Sequence, residues 1–238
     1  MATRATDQKR TPTPGTHRTD AVTDIALTMP IFVAYHIGVA FLPVRNAADV
    51  VTSRLAALAD HSRLLYMGLT GALGLVVVLA LFASGHRDKL KLSTFGLVLV
   101  EGVVYAVTMR YLAGLTANAL PLAAGAGDEG RLTGVVMSLG AGFYEELTFR
   151  VLAFGVGAKF LLQLDDWPKW AVLPLWAIAC ATGFSLWHHL GPTGEPFELH
   201  AFVFRTVCGL IFTVIYQFRG FAPAVWTHAL YDLWVMAL

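Results

Sequence analysis

The sequence predicts an all-α fold, a polytopic transmembrane helical bundle of about seven spans with one interfacial helix. Two observations predict it. Of the 238 residues, 56% are apolar and only 14% charged, whereas a soluble domain carries about 25% charged residues. Too little polar surface is left to coat a water-soluble globule. The apolar residues also fall in runs of about 20, the length that spans a hydrocarbon core of roughly 30 Å. A net charge of +1 provides no overall field for nucleic acid. Cys180 and Cys208 both lie in apolar runs and read as buried thiols rather than a disulfide framework or zinc site.

Residues 1–20 are rich in Thr, Pro, Arg and Asp and have no apolar core. They predict a disordered tail and not a cleavable signal peptide. Residues 21–238 then form a single membrane domain. The first predicted span covers 25–44 and contains Pro30. Residues 47–59 are too short and too polar to span, and predict the interfacial helix. The second span covers 64–84 and the third 94–112, which carries Glu101 and Arg110. A Gly- and Ala-rich loop follows. The fourth apolar segment, 131–164, is longer than one span needs and is interrupted by Gly140, Gly142, Glu145 and Glu146. It is either one long tilted helix or a short helix leading into a span near Glu145. The remaining spans are 170–189, 197–218 and 221–238.

Lys and Arg in the loops set orientation. With the N-terminus inside, the inner segments hold Arg4, Lys9, Arg10, Arg18, Arg87, Lys89, Lys91, Lys159, Lys169 and Arg219, and the outer loops hold Arg45, Arg54, Arg63 and Arg131. This bias predicts the N-terminus in and the C-terminus out; the membrane expected is a bacterial inner (cytoplasmic) one.

Ionisable side chains inside a membrane are costly and mark functional sites. Three groups stand out. In Glu145-Glu146-Leu147-Thr148-Phe149-Arg150, Arg150 falls four residues after Glu146 and shares its helical face. Glu145 is left on another azimuth without an obvious local counter-ion, which suits a general base or acid. In Phe184-Ser185-Leu186-Trp187-His188-His189, the two histidines point about 100° apart, so one faces the interior. In His228-Ala229-Leu230-Tyr231-Asp232, the i,i+4 spacing brings both side chains to one site. That pair suits an oriented His, a pair of metal ligands, or two groups polarising a carbonyl. Glu101, Arg110 and Arg205 read as bridges to other helices, and His36 as structural. Trp167, Trp170, Trp226 and Trp234 read as interfacial anchors or packing.

These motifs resemble the CAAX protease and bacteriocin-processing family of intramembrane endopeptidases. EELTFR matches its E-E-x-x-x-R motif, FSLWH its F-x-x-x-H motif, and HALYD its H-x-x-x-N/D motif, in the family's order. The resemblance implies a helical bundle with a buried site in which Glu145 and His188 activate a water for attack on a peptide carbonyl. His228 and Asp232 would stabilise the oxyanion, and Glu146, Arg150 and Phe184 would shape the site. The prenyl-protease branch typically has Asn where this chain has Asp232, and an ionised Asp cannot donate to an oxyanion. Asp232 is then protonated, orients His228, or helps bind a cation. The family has been described both as metalloproteases and as metal-independent glutamate proteases. The reading adopted is metal-independent, with no cofactor. Its alternative is zinc held by Glu145, His188, His228 and Asp232.

The resemblance implies a substrate that is a membrane-anchored protein or peptide, cut near its C-terminus or anchor, with the lipid bilayer as the other partner and no nucleic acid. A reading from another class is a non-catalytic membrane protein, such as an immunity factor, scaffold or transporter, with a structural polar cluster. Internal symmetry would favour a transporter, and none is seen in the sequence.

Overall fold

Eight helices follow one another along the chain in a computed structural model that describes residues 20–59, 62–83, 91–117, 130–164, 167–191 and 194–237. They are α1 (Ala21–Phe41), α2 (Val50–Leu58), α3 (Arg63–Ala83), α4 (Leu92–Ala117), α5 (Arg131–Leu164), α6 (Lys169–Trp187), α7 (Leu199–Arg219) and α8 (Phe221–Met236). Apart from Asp20, the predicted tail lies outside the described residues, as do the Gly/Ala-rich loop up to residue 129 and Arg87 and Lys89 of the charge bias. Asp20 is the first described residue. Its carboxylate accepts from the Thr23 N–H at 3.1 Å and caps α1.

Among the described residues, six helices are long and apolar enough to cross a membrane: α1, α3, the Leu92–Leu112 part of α4, α5, α6 and α7. The chain is an integral membrane protein. Their outward faces carry exposed large apolar side chains, among them Leu75, Val76 and Leu79 on α3 and Leu97, Val103 and Val104 on α4. Such a surface suits lipid and not water. A short helix, α2, is observed within residues 47–59, where Asp49 caps its N-terminus by accepting from the Thr52 N–H at 2.8 Å.

The seventh predicted span differs from expectation. α8 has 16 residues, about 24 Å at 1.5 Å per residue, short of the hydrocarbon thickness. It is instead the inner helix of the bundle. Phe221 to Val225, Thr227, His228, Ala229 and Tyr231 are all buried, and α1, α4, α5 and α7 pack against it. Gly220, at φ 107°, makes the one-residue reversal from α7 into α8, a conformation that side-chain-bearing residues rarely adopt. α1 holds the start of α8. The Phe221 N–H donates to Asp24 Oδ2 at 2.7 Å, and Trp226 Nε1 donates to the Leu27 carbonyl at 3.0 Å.

Of the two readings left open for the fourth segment, the long continuous helix is the one observed, over 34 residues. Its middle is wound in wide π-helical turns at Ala141–Glu145 and Leu147–Val156. The Gly157 N–H, for example, reaches back five residues to the Leu152 carbonyl. Such turns re-aim side chains and gather at functional sites. Gly142 lets α5 and α8 cross closely. A Cβ there would lie 2.6 Å from the Ala229 Cβ and 2.9 Å from the Val225 carbonyl oxygen.

Candidate active site

The π-turns of α5 send the two adjacent glutamates to different partners. Glu145 is buried and faces the loop between α1 and α2 on one side and the end of α6 on the other. Its Oε1 accepts from Asn46 Nδ2 at 2.8 Å. Its Oε2 has no hydrogen-bond partner in the protein and lies 3.8 Å from His188 Nε2. His188 occupies the C-cap of α6, where its side chain is 25% exposed. Its Nδ1 is 2.9 Å from the Phe184 carbonyl oxygen. A carbonyl only accepts, so Nδ1 carries the proton and Nε2 is the nitrogen presented to Glu145. His189 turns away, toward the Glu195 carbonyl at 3.2 Å and the Phe197 ring. One His of the pair therefore faces the interior, as the helical geometry demands.

Glu146 turns the other way, into the core. Its Oε2 lies 3.0 Å from Arg150 Nε, and its Oε1 accepts from His228 Nδ1 at 2.7 Å. Both Glu146 and Arg150 are fully buried. The Arg150 guanidinium sits over the rings of Phe184 (4.4 Å to the centroid) and Phe212 (5.2 Å), a desolvated cation clamped between π faces. Phe212 also stacks on His228, with centroids 4.4 Å apart. The other ring nitrogen of His228, Nε2, points to Asp232 Oδ2 at 3.4 Å, and Asp232 is 21% exposed. The Phe184 ring contacts the rings of both His188 and His228, at 5.0 and 6.0 Å. It joins the two pairs into one cluster. Gly209 permits this approach, since a Cβ there would meet Phe184 at 3.1 Å and Ala181 at 3.2 Å.

All seven residues singled out in the three motifs thus gather where α5, α6 and α8 meet. The zinc alternative does not fit this geometry. Among the described residues, no three His, Cys, Asp or Glu side chains converge as a ligand set. His228 has a carboxylate at each nitrogen, and its Nδ1 is already bonded to Glu146. The four proposed ligands form two pairs, Glu145 with His188 and His228 with Asp232.

Other ionisable residues divide as bridges and caps. Glu101 pairs with Arg219, linking α4 to α7, and not with Arg110. Arg205 differs from expectation. It pairs with Glu195 at 2.6 Å, in the segment before its own helix, because the α6–α7 connection folds back over the start of α7. His36 is structural, bridging Tyr66 Oη (2.6 Å) and Tyr144 Oη (2.7 Å) between α1, α3 and α5. Trp226 packs inside, while Trp167 and Trp170 are exposed. Cys180 and Cys208 are free thiols. Asn46 was not singled out by sequence. A polar residue in a short connection reads as an ordinary turn, and its contact with Glu145 spans 99 residues.

Comparison with curated proteins and with solved structures gives no match. A family model does match. Residues 129–234 fit the family described as Type II CAAX prenyl endopeptidase Rce1-like, a region that contains all three motifs. Over residues 129–234, the segment that brings Glu145, His188 and His228 together, this chain carries an Rce1-like domain of the type II CAAX prenyl endopeptidase family.

Proposed function

We propose that the protein is an intramembrane endopeptidase that hydrolyses a peptide bond near the C-terminus or membrane anchor of a membrane-associated protein. One observation carries this reading. A buried carboxylate oxygen with no hydrogen-bond partner faces a histidine nitrogen at 3.8 Å, while each residue's other polar atom is already tied down. A gap beyond direct hydrogen-bond reach between two acceptors is one a water bridges. Glu145 and His188 together remove a proton from that water as its oxygen attacks the carbonyl carbon. The tetrahedral intermediate then collapses. The C–N bond breaks, and the abstracted proton passes to the leaving amine.

His228, doubly protonated between the carboxylates of Glu146 and Asp232, is the donor for the oxyanion in this reading. The Glu146 carboxylate holds its Nδ1–H and Phe212 fixes the ring plane, which leaves Nε2 at the open side beside Asp232. Asp232 orients this nitrogen and does not itself donate. Glu146, Arg150 and Phe184 hold the histidines in place. No metal takes part in any step.

The α1–α2 loop and the end of α6 lie at the same end of the bundle, since Asn46 and His188 both reach Glu145. With the N-terminus inside, that end faces outward in a bacterial inner membrane. The substrate that fits is the membrane-anchored tail of an exported protein. Wild type and Glu145→Gln are to be expressed separately in a host lacking the gene, and the membrane and secreted proteins compared for C-terminal truncations. Truncations that disappear with Glu145→Gln, at matched expression, support the reading and name the substrate. Truncations that persist refute it.

A further inference from the structure

The chain before residue 129 lies outside the family match, yet one of its residues touches Glu145. Asn46 sits in the loop between α1 and α2 and is 4% exposed. Its side-chain amide has a determined orientation. Oδ1 accepts from the Ala48 N–H at 2.8 Å, so Nδ2 is the end that donates to Glu145 Oε1, also at 2.8 Å. The loop around it is equally fixed. The Asn46 N–H donates to Tyr35 Oη at 3.1 Å, and Tyr35 Oη donates to Asp49 Oδ2 at 2.7 Å. The other Asp49 oxygen caps α2. Gly140, on α5 just before Glu145, gives this loop its seat. A Cβ there would lie 2.5 Å from the Tyr35 ring and 3.0 Å from the Asn46 Cβ.

We propose that Asn46 is a positioning residue for the reaction. By holding Oε1 it fixes the rotation of the Glu145 carboxylate and presents Oε2, the unpartnered oxygen, to His188. The inference rests on Glu145 acting as the base, and it makes the α1–α2 loop part of the active site. The loop sets the carboxylate's angle within the tolerance that proton transfer requires, where a misplacement of about 1 Å costs about 100-fold in rate.

The test uses the full chain purified in detergent and two variants. Asn46→Asp keeps an oxygen for the Ala48 N–H but has no N–H to give Glu145, and Asn46→Ala removes the bond without adding charge. The carboxylate stretch of Glu145 is identified in the infrared difference spectrum as the band lost in Glu145→Gln. Both Asn46 variants should shift that band, because one of its oxygens loses a donor. Each should also slow cleavage of a precursor whose truncation depends on Glu145 by about 10- to 100-fold, with KM little changed. A merely structural turn residue would leave the band in place. The proposal is overturned by a band at its wild-type position in both variants, by wild-type turnover in both, or by a loss that lies wholly in KM. Because the band is read without substrate, the contact is decided even where cleavage survives Glu145→Gln. In that case it is the proposed function that falls.

Discussion

Arg150 heads the largest fully buried side chains among the described residues, a cation paired with Glu146. A buried pair of this kind contributes little net stability when intact, but removing one partner strands the other at a cost of about 3–5 kcal/mol. Arg150→Ala should therefore lower the unfolding free energy in detergent by about that amount, read from denaturant or thermal melts. Arg150→Lys should not restore the wild type, because an ammonium cannot lie flat between Phe184 and Phe212. The same four-residue spacing that pairs Glu146 with Arg150 was legible from sequence, and so was the separation of Glu145 from that pair. What sequence could not supply were the partners that arrive from elsewhere, Asn46 for Glu145 and Glu146 for His228. These contacts are set by the crossing of helices far apart in the chain, and residue spacing within one helix does not encode them.

The helices are held at those crossings by small residues and by caps from neighbouring elements. Gly142 is one such point beside the site. Gly142→Val should wedge α5 away from α8, reduce thermal stability, and abolish cleavage by separating Glu146 from His228. A crystal structure or cross-linking between the two helices would register the displacement. At Gly220, alanine must adopt φ 107°, so Gly220→Ala should cost about 1–3 kcal/mol in an unfolding titration. The helices themselves were legible from their apolar runs to within a few residues. The fate of the last run was not. Its length suggested a span, but the turn at Gly220 and the contacts of Asp24 and Trp226 draw it inside the bundle. The continuity of α5 through Glu145 was likewise open in sequence, because the small-and-polar patch that looks like a break is accommodated by wide turns.

Across the whole molecule, polarity is inverted relative to a soluble protein. The charged and polar cluster is inside, and Leu75, Val76 and Leu79 face outward. Substituting Leu79 with Ala on this face should change stability by no more than about 0.5 kcal/mol, because the side chain leaves one apolar surface for another. Orientation is a separate expectation that rests on the charge bias. Reporter fusions at the α6–α7 connection should be active only on the side opposite the N-terminus, in the exoplasmic space. Activity in the cytoplasm would turn the site inward and remove the exported tail as substrate.

The central claim is that Glu145 and His188 act on one water. The most direct measurement is the cleavage rate of the same precursor by Glu145→Gln, His188→Ala and the double variant, each purified and shown to be folded. Residues acting as a unit are strongly non-additive. Each single variant should lose about 100- to 10,000-fold in kcat, and the double variant should be no slower than the worse single. Losses that multiply, or a Glu145→Gln protein that cleaves at the wild-type rate, would contradict the shared water.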